Sequence, residues 1–282
     1  MLSLSVTAQT KRAIVIGLGE QQDKAWNKIN GDKDVPFVQV MLKNAGFKSV
    51  TTLVNRQATK VGIVRAFKRM TASCKQGDVV YIHYSGHGQQ MTDVHNDEKD
   101  GLDECWIPYD AYRKPCEKDK GEKHLTDDEV NYYLNAIRDK IGETGKMLVV
   151  IDACHSGDAT RGDEDEVVRG VEDIFEAINT FIWGASTDKG KSDVNPNAQV
   201  NKERWITISA CKSDQVNIEM KSPAVGKLTY AIYNKIKENT GNDNYDFIRR
   251  IRKFVNSNTG SRPQYPEMTG EIDRYRITDI IQ

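Results

Sequence analysis

Two short apolar runs, each ending in a glycine-flanked turn that carries a reactive side chain, constrain this chain more than any other feature. DVVYIHYSGHG at residues 78–88 places His87 between Gly86 and Gly88, and MLVVIDACHSG at residues 147–157 delivers Cys154 in the same way. Continuous runs of this length, rich in Val and Ile, suit strands buried inside a sheet. Lying side by side, two such strands present their C-terminal ends at one edge, where open α/β sheets hold their ligands. The pattern predicts that His87 and Cys154 meet there.

The pairing of residue types has a chemical reason. A thiol is a strong nucleophile as thiolate, and a neighbouring imidazole can take its proton and later protonate a leaving amine. Gly86, Gly88 and Gly157 would let a substrate backbone approach closely. The N–H groups of Gly88 and Cys154 are the candidate donors to an oxyanion. A solitary Cys after an apolar run is more often plain core, and a solitary loop His a satisfied hydrogen-bonding group. Two matched strand ends with glycine punctuation favour the catalytic reading.

Elsewhere strands and helices alternate. Residues 13–18 and 49–54 read as strands, with helical periodicity at 35–45 and 58–72. Residues 126–141 read as a helix behind a Thr/Asp cap and lead into the Cys strand. WITISAC at 205–211 is a third buried strand, followed by helices near 226–238 and 245–257. The expectation is an α/β fold, a mostly parallel central sheet of about six strands with helices on both faces. A chain of 282 residues with 38% hydrophobic content can bury such a core. Its net charge of −1 gives no electrostatic footprint for nucleic acid or a membrane surface. No run of 18 apolar residues signals a spanning helix. Cys74, Cys105, Cys116, Cys154 and Cys211 show neither CxxC pairs nor metal spacing, and an odd, sparse set argues against a disulfide framework. GLG at 17–19 lacks GxGxxG spacing, so a nucleotide-binding reading is weak.

YSGHG followed by DACHSG resembles the His and Cys motifs of the caspase-like cysteine peptidases, in particular the metacaspase and paracaspase branch. The resemblance extends to AIVIGLG (13–19), NGDKDVPFVQVMLKNAGF (30–47), DGLDECWIPYD (100–110), SACKSDQVNIEM with GKLTYAIYNKI (209–236) and RPQYPEMTG (262–270), in the family's order. It implies a single caspase-like domain over 10–282. A large-subunit-like part would cover about 10–185, a cleavage loop about 158–204 and a small-subunit-like part about 205–282. The loop is acidic at 163–166 and then polar, with Lys189, Lys191, Lys202 and Arg204 as candidate sites of self-cleavage. Residues 1–9, MLSLSVTAQ, read either as the tail of a signal peptide, which implies export, or as a frayed end of a cytoplasmic protein.

Substrate preference follows partly from geometry. Asp152 lies two residues before Cys154, so in an extended strand its side chain shares the nucleophile's face. Asp34 is the second acid that the resemblance implies. Metacaspases use acids at these two places to grip a basic P1 residue, the residue on the amino side of the cut bond. Read alone, Asp34 is an ordinary helix-cap residue. The resemblance also implies a calcium site at Asp103, Asp127 and Asp128, with Asp158 or Asp163 as a further ligand off the family's spacing; the alternative is that Asp127 and Asp128 favour a helix N-terminus. The expected activity is a cysteine endopeptidase cutting peptides or proteins after Arg or Lys through a Cys154–His87 dyad. The chemistry requires no cofactor. A non-catalytic caspase-like scaffold that binds partners is the alternative, and the sequence does not give the oligomeric state.

Overall fold

The apolar runs become the inner strands of a parallel sheet. The computed structural model describes residues 9–93, 98, 100–155, 166–177, 203–238, 243–258 and 262–282. In chain order these form β1 (Lys11–Gly17), α1 (Gly31–Asn44), β2 (Ser49–Val54), α2 (Lys60–Ser73), β3 (Val79–Ser85), β4 (Gly88–Thr92), β5 (Leu102–Trp106), β6 (Leu125–Thr126), α3 (Asp127–Ile141), β7 (Lys146–Asp152), β8 (Ile206–Ser209), β9 (Glu219–Lys221), β10 (Ala224–Gly226), α4 (Lys227–Lys237), α5 (Asn244–Ser257), β11 (Glu267–Gly270) and α6 (Thr278–Ile281). Six strands pair in the order β11-β8-β7-β3-β1-β2. All neighbours run parallel except β11, which is antiparallel to β8 at one edge.

Strand alternation assigns residues to two cores. Ala13, Val15, Tyr81, Leu148, Val150 and Ile208 face the layer of α1, α4, α5 and α6, where Val38, Leu42, Leu228, Ile232, Phe247, Ile251 and Ile280 cover them. Ile14, Ile16, Val80, Ile82 and Val149 point the opposite way, against Ile63, Phe67 and Met70 of α2 and Val130, Leu134 and Ile137 of α3. Helices thus cover both faces, as the alternation predicts. Two small antiparallel sheets were not anticipated: β4-β5-β6 and the β9-β10 pair. Residues 111–124 turn around the buried Asp119, whose carboxylate accepts N–H groups of Tyr112 and Gly121. That turn delivers the chain into β6.

Register places the reactive residues. Ser85 of β3 lies opposite Asp152 of β7, so His87 and Cys154 each fall two residues past the last pair of adjacent strands. The start of α1 is pressed onto the same edge. A Cβ on Gly31 would stand 2.5 Å from the Leu18 carbonyl oxygen and 2.6 Å from that of Ser85, so only glycine permits this approach. It brings Asp34, one turn into α1, under the strand ends. α3 is capped by Thr126, whose hydroxyl accepts the Glu129 N–H, and carries acids in its first turn and Arg138 and Lys140 in its last.

The backbone around His87 is braced from below. The Tyr84 hydroxyl donates to the His87 carbonyl at 2.6 Å and accepts the Ile107 N–H at 2.8 Å, while its ring stacks on Trp106 with centroids 4.5 Å apart. Tyr84→Phe keeps the stack and removes both bonds from a buried position. It should cost about 1–3 kcal/mol, read as a lower urea midpoint at unchanged slope. An unshifted midpoint would show that the brace carries no stability.

Candidate active site

His87 sits in the turn between β3 and β4, 1% exposed and 5.0 Å from the Trp26 ring. Its Nε2 is 2.8 Å from the Asn27 carbonyl oxygen. A carbonyl only accepts, so Nε2 carries the proton and Nδ1 presents a lone pair. That Nδ1 has no hydrogen-bond partner among the described residues. Burial pushes the imidazole pKa down to about 4, with the Asn27 bond opposing and Arg169 and Arg113 adding to the effect. His87 is therefore a neutral acceptor at physiological pH. The sequence reading found no third member to orient it; the Asn27 main chain does so, and a backbone group leaves no residue-type signal.

Cys154 is 3% exposed. Its thiol donates to the Gln215 carbonyl at 2.8 Å, and the thiol of Cys211 reaches the same oxygen at 3.4 Å. All five cysteines are free. Gly88 lies against Cys154: a Cβ there would be 2.4 Å from the Cys154 carbonyl oxygen and 2.8 Å from the His155 ring. The backbone N–H of Cys154 donates to the carbonyl of Arg169 at 2.9 Å. One of the two expected oxyanion donors thus already holds a peptide carbonyl.

The same Arg169 fills the acidic pocket. Asp34, Asp152 and Arg169 are fully buried and Glu219 is 4% exposed. Nη1 of Arg169 lies 2.6 Å from Asp34 Oδ2 and 3.4 Å from Asp152 Oδ1, and Nε is 2.8 Å from Glu219 Oε1. The sequence reading anticipated the first two acids and missed Glu219, which stood unremarked in SACKSDQVNIEM, a segment noted only for its resemblance. Each carboxylate is also held from behind. Asp152 accepts from Asn217 Nδ2 and from the N–H and hydroxyl of Thr229. Asp34 accepts the Gly226 N–H, and Glu219 accepts the N–H and side-chain amide of Asn30. Gly226 and Thr229 belong to the N-terminus of α4, whose free N–H groups and dipole favour anions.

Residues 167–169 lie in this cleft as an extended strand. Val168 bridges antiparallel to Ile218, Arg169 N–H donates to the Asn217 carbonyl, and Glu219 N–H donates to the Val167 carbonyl. Beyond Arg169 the chain crosses to β4, where Phe175 exchanges hydrogen bonds with Gln90 and Thr92. The sequence reading placed self-cleavage elsewhere. Lys189, Lys191 and Lys202 fall outside the described residues, as do Gly157, Asp158, Asp163 and residues 1–8. Arg204 precedes the N-terminal end of β8, at the sheet edge opposite Cys154, and its guanidinium bonds Asn135 and Asp139 of α3.

The proposed calcium ligands have a different setting. Asp103 is buried on β5, and Asp127 and Asp128 open α3. Burial, with Asp128, Glu104 and Glu98 nearby, pushes the Asp127 pKa up to about 7. Among the described residues no three His, Cys, Asp or Glu side chains are grouped as a metal ion would need, and Asp158 and Asp163 lie outside those residues.

The pocket's charge balance makes a pH prediction. Burial raises the Asp34 pKa to about 6, and Arg169 pulls it back. On Asp152 burial also acts upward but is outweighed by Arg169 and the bonds from Thr229 and Asn217, which hold it below the ordinary range. Arg169→Gln removes the cation, so the buried carboxylates gain protons in the folded state. A folded-state pKa above the unfolded value gives stability that is present at low pH and lost as pH rises through the folded pKa. In a Cys154→Ala background, the melting temperature of Arg169→Gln should therefore fall below that of its parent progressively between pH 5 and 8. Parallel curves would mean that Arg169 does not neutralise the pocket.

A family profile for the caspase domain matches residues 10–275. Metacaspase-2 of Arabidopsis thaliana is 30% identical over 258 residues, covering 87% of this chain and 56% of that protein. Metacaspase-1A of Neurospora crassa is 23% identical over 296 residues, covering 90% of this chain and 62% of that protein. The chain spans 62%, 57% and 53% of the lengths of three fungal metacaspases it matches. Among solved structures, a Geobacter sulfurreducens protein superposes with a TM-score of 0.65 at 23% identity, over 97% of this chain and 100% of that one. Caspase-1 of Spodoptera frugiperda gives 0.55 at 12% identity, over 93% and 86%. The two structures share the sheet and its flanking helices. With a strand-end His and Cys in register, and a profile match along nearly its whole length, the chain belongs to the caspase-domain family.

Proposed function

We propose that this chain is a cysteine endopeptidase that cuts after arginine, and that its own Arg169–Gly170 bond is a substrate. One observation carries the reading: the residue whose guanidinium fills the Asp34–Asp152–Glu219 pocket is the residue whose carbonyl accepts the Cys154 N–H. Side chain and reacting carbonyl of a P1 residue are held at once. The antiparallel pairing of residues 167–169 with 217–219 supplies the rest of a substrate strand.

The chemistry follows from these placements. The thiol swings from the Gln215 carbonyl to His87 Nδ1 and gives it the proton, while Asn27 keeps the ring oriented through Nε2. The sulfur attacks the P1 carbonyl carbon, and the electron pair displaced onto oxygen faces the Cys154 N–H. Collapse breaks the C–N bond, the departing amine takes the proton from His87, and a thioester remains. Water, giving a proton to the same imidazole, then releases the new carboxyl terminus and restores the thiol.

Arginine is favoured over lysine because the acids address two ends of a planar group. Asp34 and Asp152 meet Nη1 while Glu219 meets Nε, and a compact ammonium cannot occupy both places. Aspartate at P1 would bring a fourth carboxylate into the pocket. The same occupancy makes the uncut chain latent, since a foreign peptide must displace residues 167–169.

Wild-type protein should yield a fragment whose N-terminal sequence starts at Gly170, while Cys154→Ala stays whole. A chain cut elsewhere, or cut equally in both proteins, would sink the assignment. Fluorogenic peptides with P1 Arg should outpace P1 Lys, with P1 Asp at background. Glu219→Gln should lower kcat/KM for Arg by about tenfold, the scale of one charged contact, and leave Lys nearly unchanged. An equal loss on both would place Glu219 outside P1 recognition. Labelling of Cys154 by a thiol-reactive arginyl peptide separates this reading from a non-catalytic scaffold.

A further inference from the structure

Glu166, three residues before Arg169, is an acid with almost no access to solvent. Its side chain is 7% exposed, and its Oε2 stands 3.8 Å from Nε of Arg262, itself 14% exposed. A second cation lies near enough to feel its charge. Lys227, the first residue of α4, is 2% exposed, and Glu166 partly offsets the loss of proton affinity that burial imposes on its ammonium. A carboxylate buried this far is tolerated where cations compensate it. Neither cation belongs to the strand that carries Glu166.

Both are built into the wall that binds the strand's backbone. Two residues after Arg262, Gln264 accepts the Ile218 N–H and donates to Asn217 Oδ1. Asn217 and Ile218 are the residues that pair with Arg169 and Val168. Lys227 directly follows Gly226, whose N–H holds Asp34 in the P1 pocket. Arg262 and Lys227 are therefore carried by the same wall that holds the strand's backbone and the Asp34 pocket.

We propose that Arg262 and Lys227 form a subsite for an acidic side chain at P4, so that the favoured substrates are peptides reading acid–x–x–Arg. The inference rests on the proposed reading of the cleft as a peptidase site cutting after arginine. Val167 and Val168 stand at P3 and P2, so apolar residues suit the two positions between. A P4 lysine meets two like charges in a desolvated place, which rejects it more strongly than a neutral residue.

The test compares three fluorogenic peptides that differ at P4 alone: Glu-Val-Val-Arg, Gln-Val-Val-Arg and Lys-Val-Val-Arg, with wild-type protein that has completed self-cleavage. Glu should exceed Gln by about tenfold in kcat/KM, chiefly through KM, as expected of a contact made equally in ground and transition states. Lys should be slowest. Arg262→Gln should bring the Glu-to-Gln ratio close to one, and Arg262→Glu should favour the Lys peptide. The wild-type comparison alone decides if a variant fails to fold. Equal rates on all three peptides would overturn the subsite and leave arginine cleavage standing. Cleavage of none of them, with P1 Lys or Asp peptides cut instead, would overturn both.

Discussion

Three buried carboxylates arranged around one buried guanidinium organise the functional half of this molecule. Asp34 comes from α1, Asp152 from the end of β7, Glu219 from β9, and the cation from a strand bound in the cleft. Removing four charges from water is costly, and their attraction offsets the cost where geometry is good and the remaining lone pairs are satisfied. Here Thr229, Asn217, Gly226 and Asn30 satisfy them. Because those donors come from three further places in the chain, the acids lock α1, α4 and the β9-β10 pair onto the sheet edge. A cavity holding three acids must hold a cation or take up protons. On the proposed reading, a preference for arginine and the pocket's occupation by Arg169 are two expressions of the same electrostatic requirement.

His87 and Cys154 answer to a different constraint. Both are almost entirely buried, and burial drives the imidazole toward its neutral form. The Asn27 carbonyl then decides which nitrogen holds the proton, leaving Nδ1 open. On the proposed reading this is a base waiting for a thiol that currently points at Gln215. On the same reading, a strand that fills the acidic pocket while the thiol is turned to Gln215 is the form of a latent enzyme.

The strands were legible because their composition matches their setting: sequences such as VVYIHYS and KMLVVID have few alternatives to a sheet interior. The His and Cys were legible because glycine must flank a strand end where other backbone comes as close as the Cys154 carbonyl comes to Gly88. Asp152 followed from the period of two. Glu219 was not legible, since a Glu in a short strand usually faces water and nothing local marks this one as inward. Arg169 was passed over for a related reason. It follows an acidic run and was read as exposed, whereas its placement depends on acids 135, 17 and 50 residues away.

The sequence by itself determined the layered α/β architecture and the sheet edge that His87 and Cys154 share, because hydrophobic periodicity and glycine punctuation are local properties of the chain. Tertiary structure decided which cation fills the pocket, which third acid completes it and which carbonyl orients the histidine. Those choices depend on charges and backbone groups brought together from distant segments, and no periodicity in the sequence records the separation of two such groups in space.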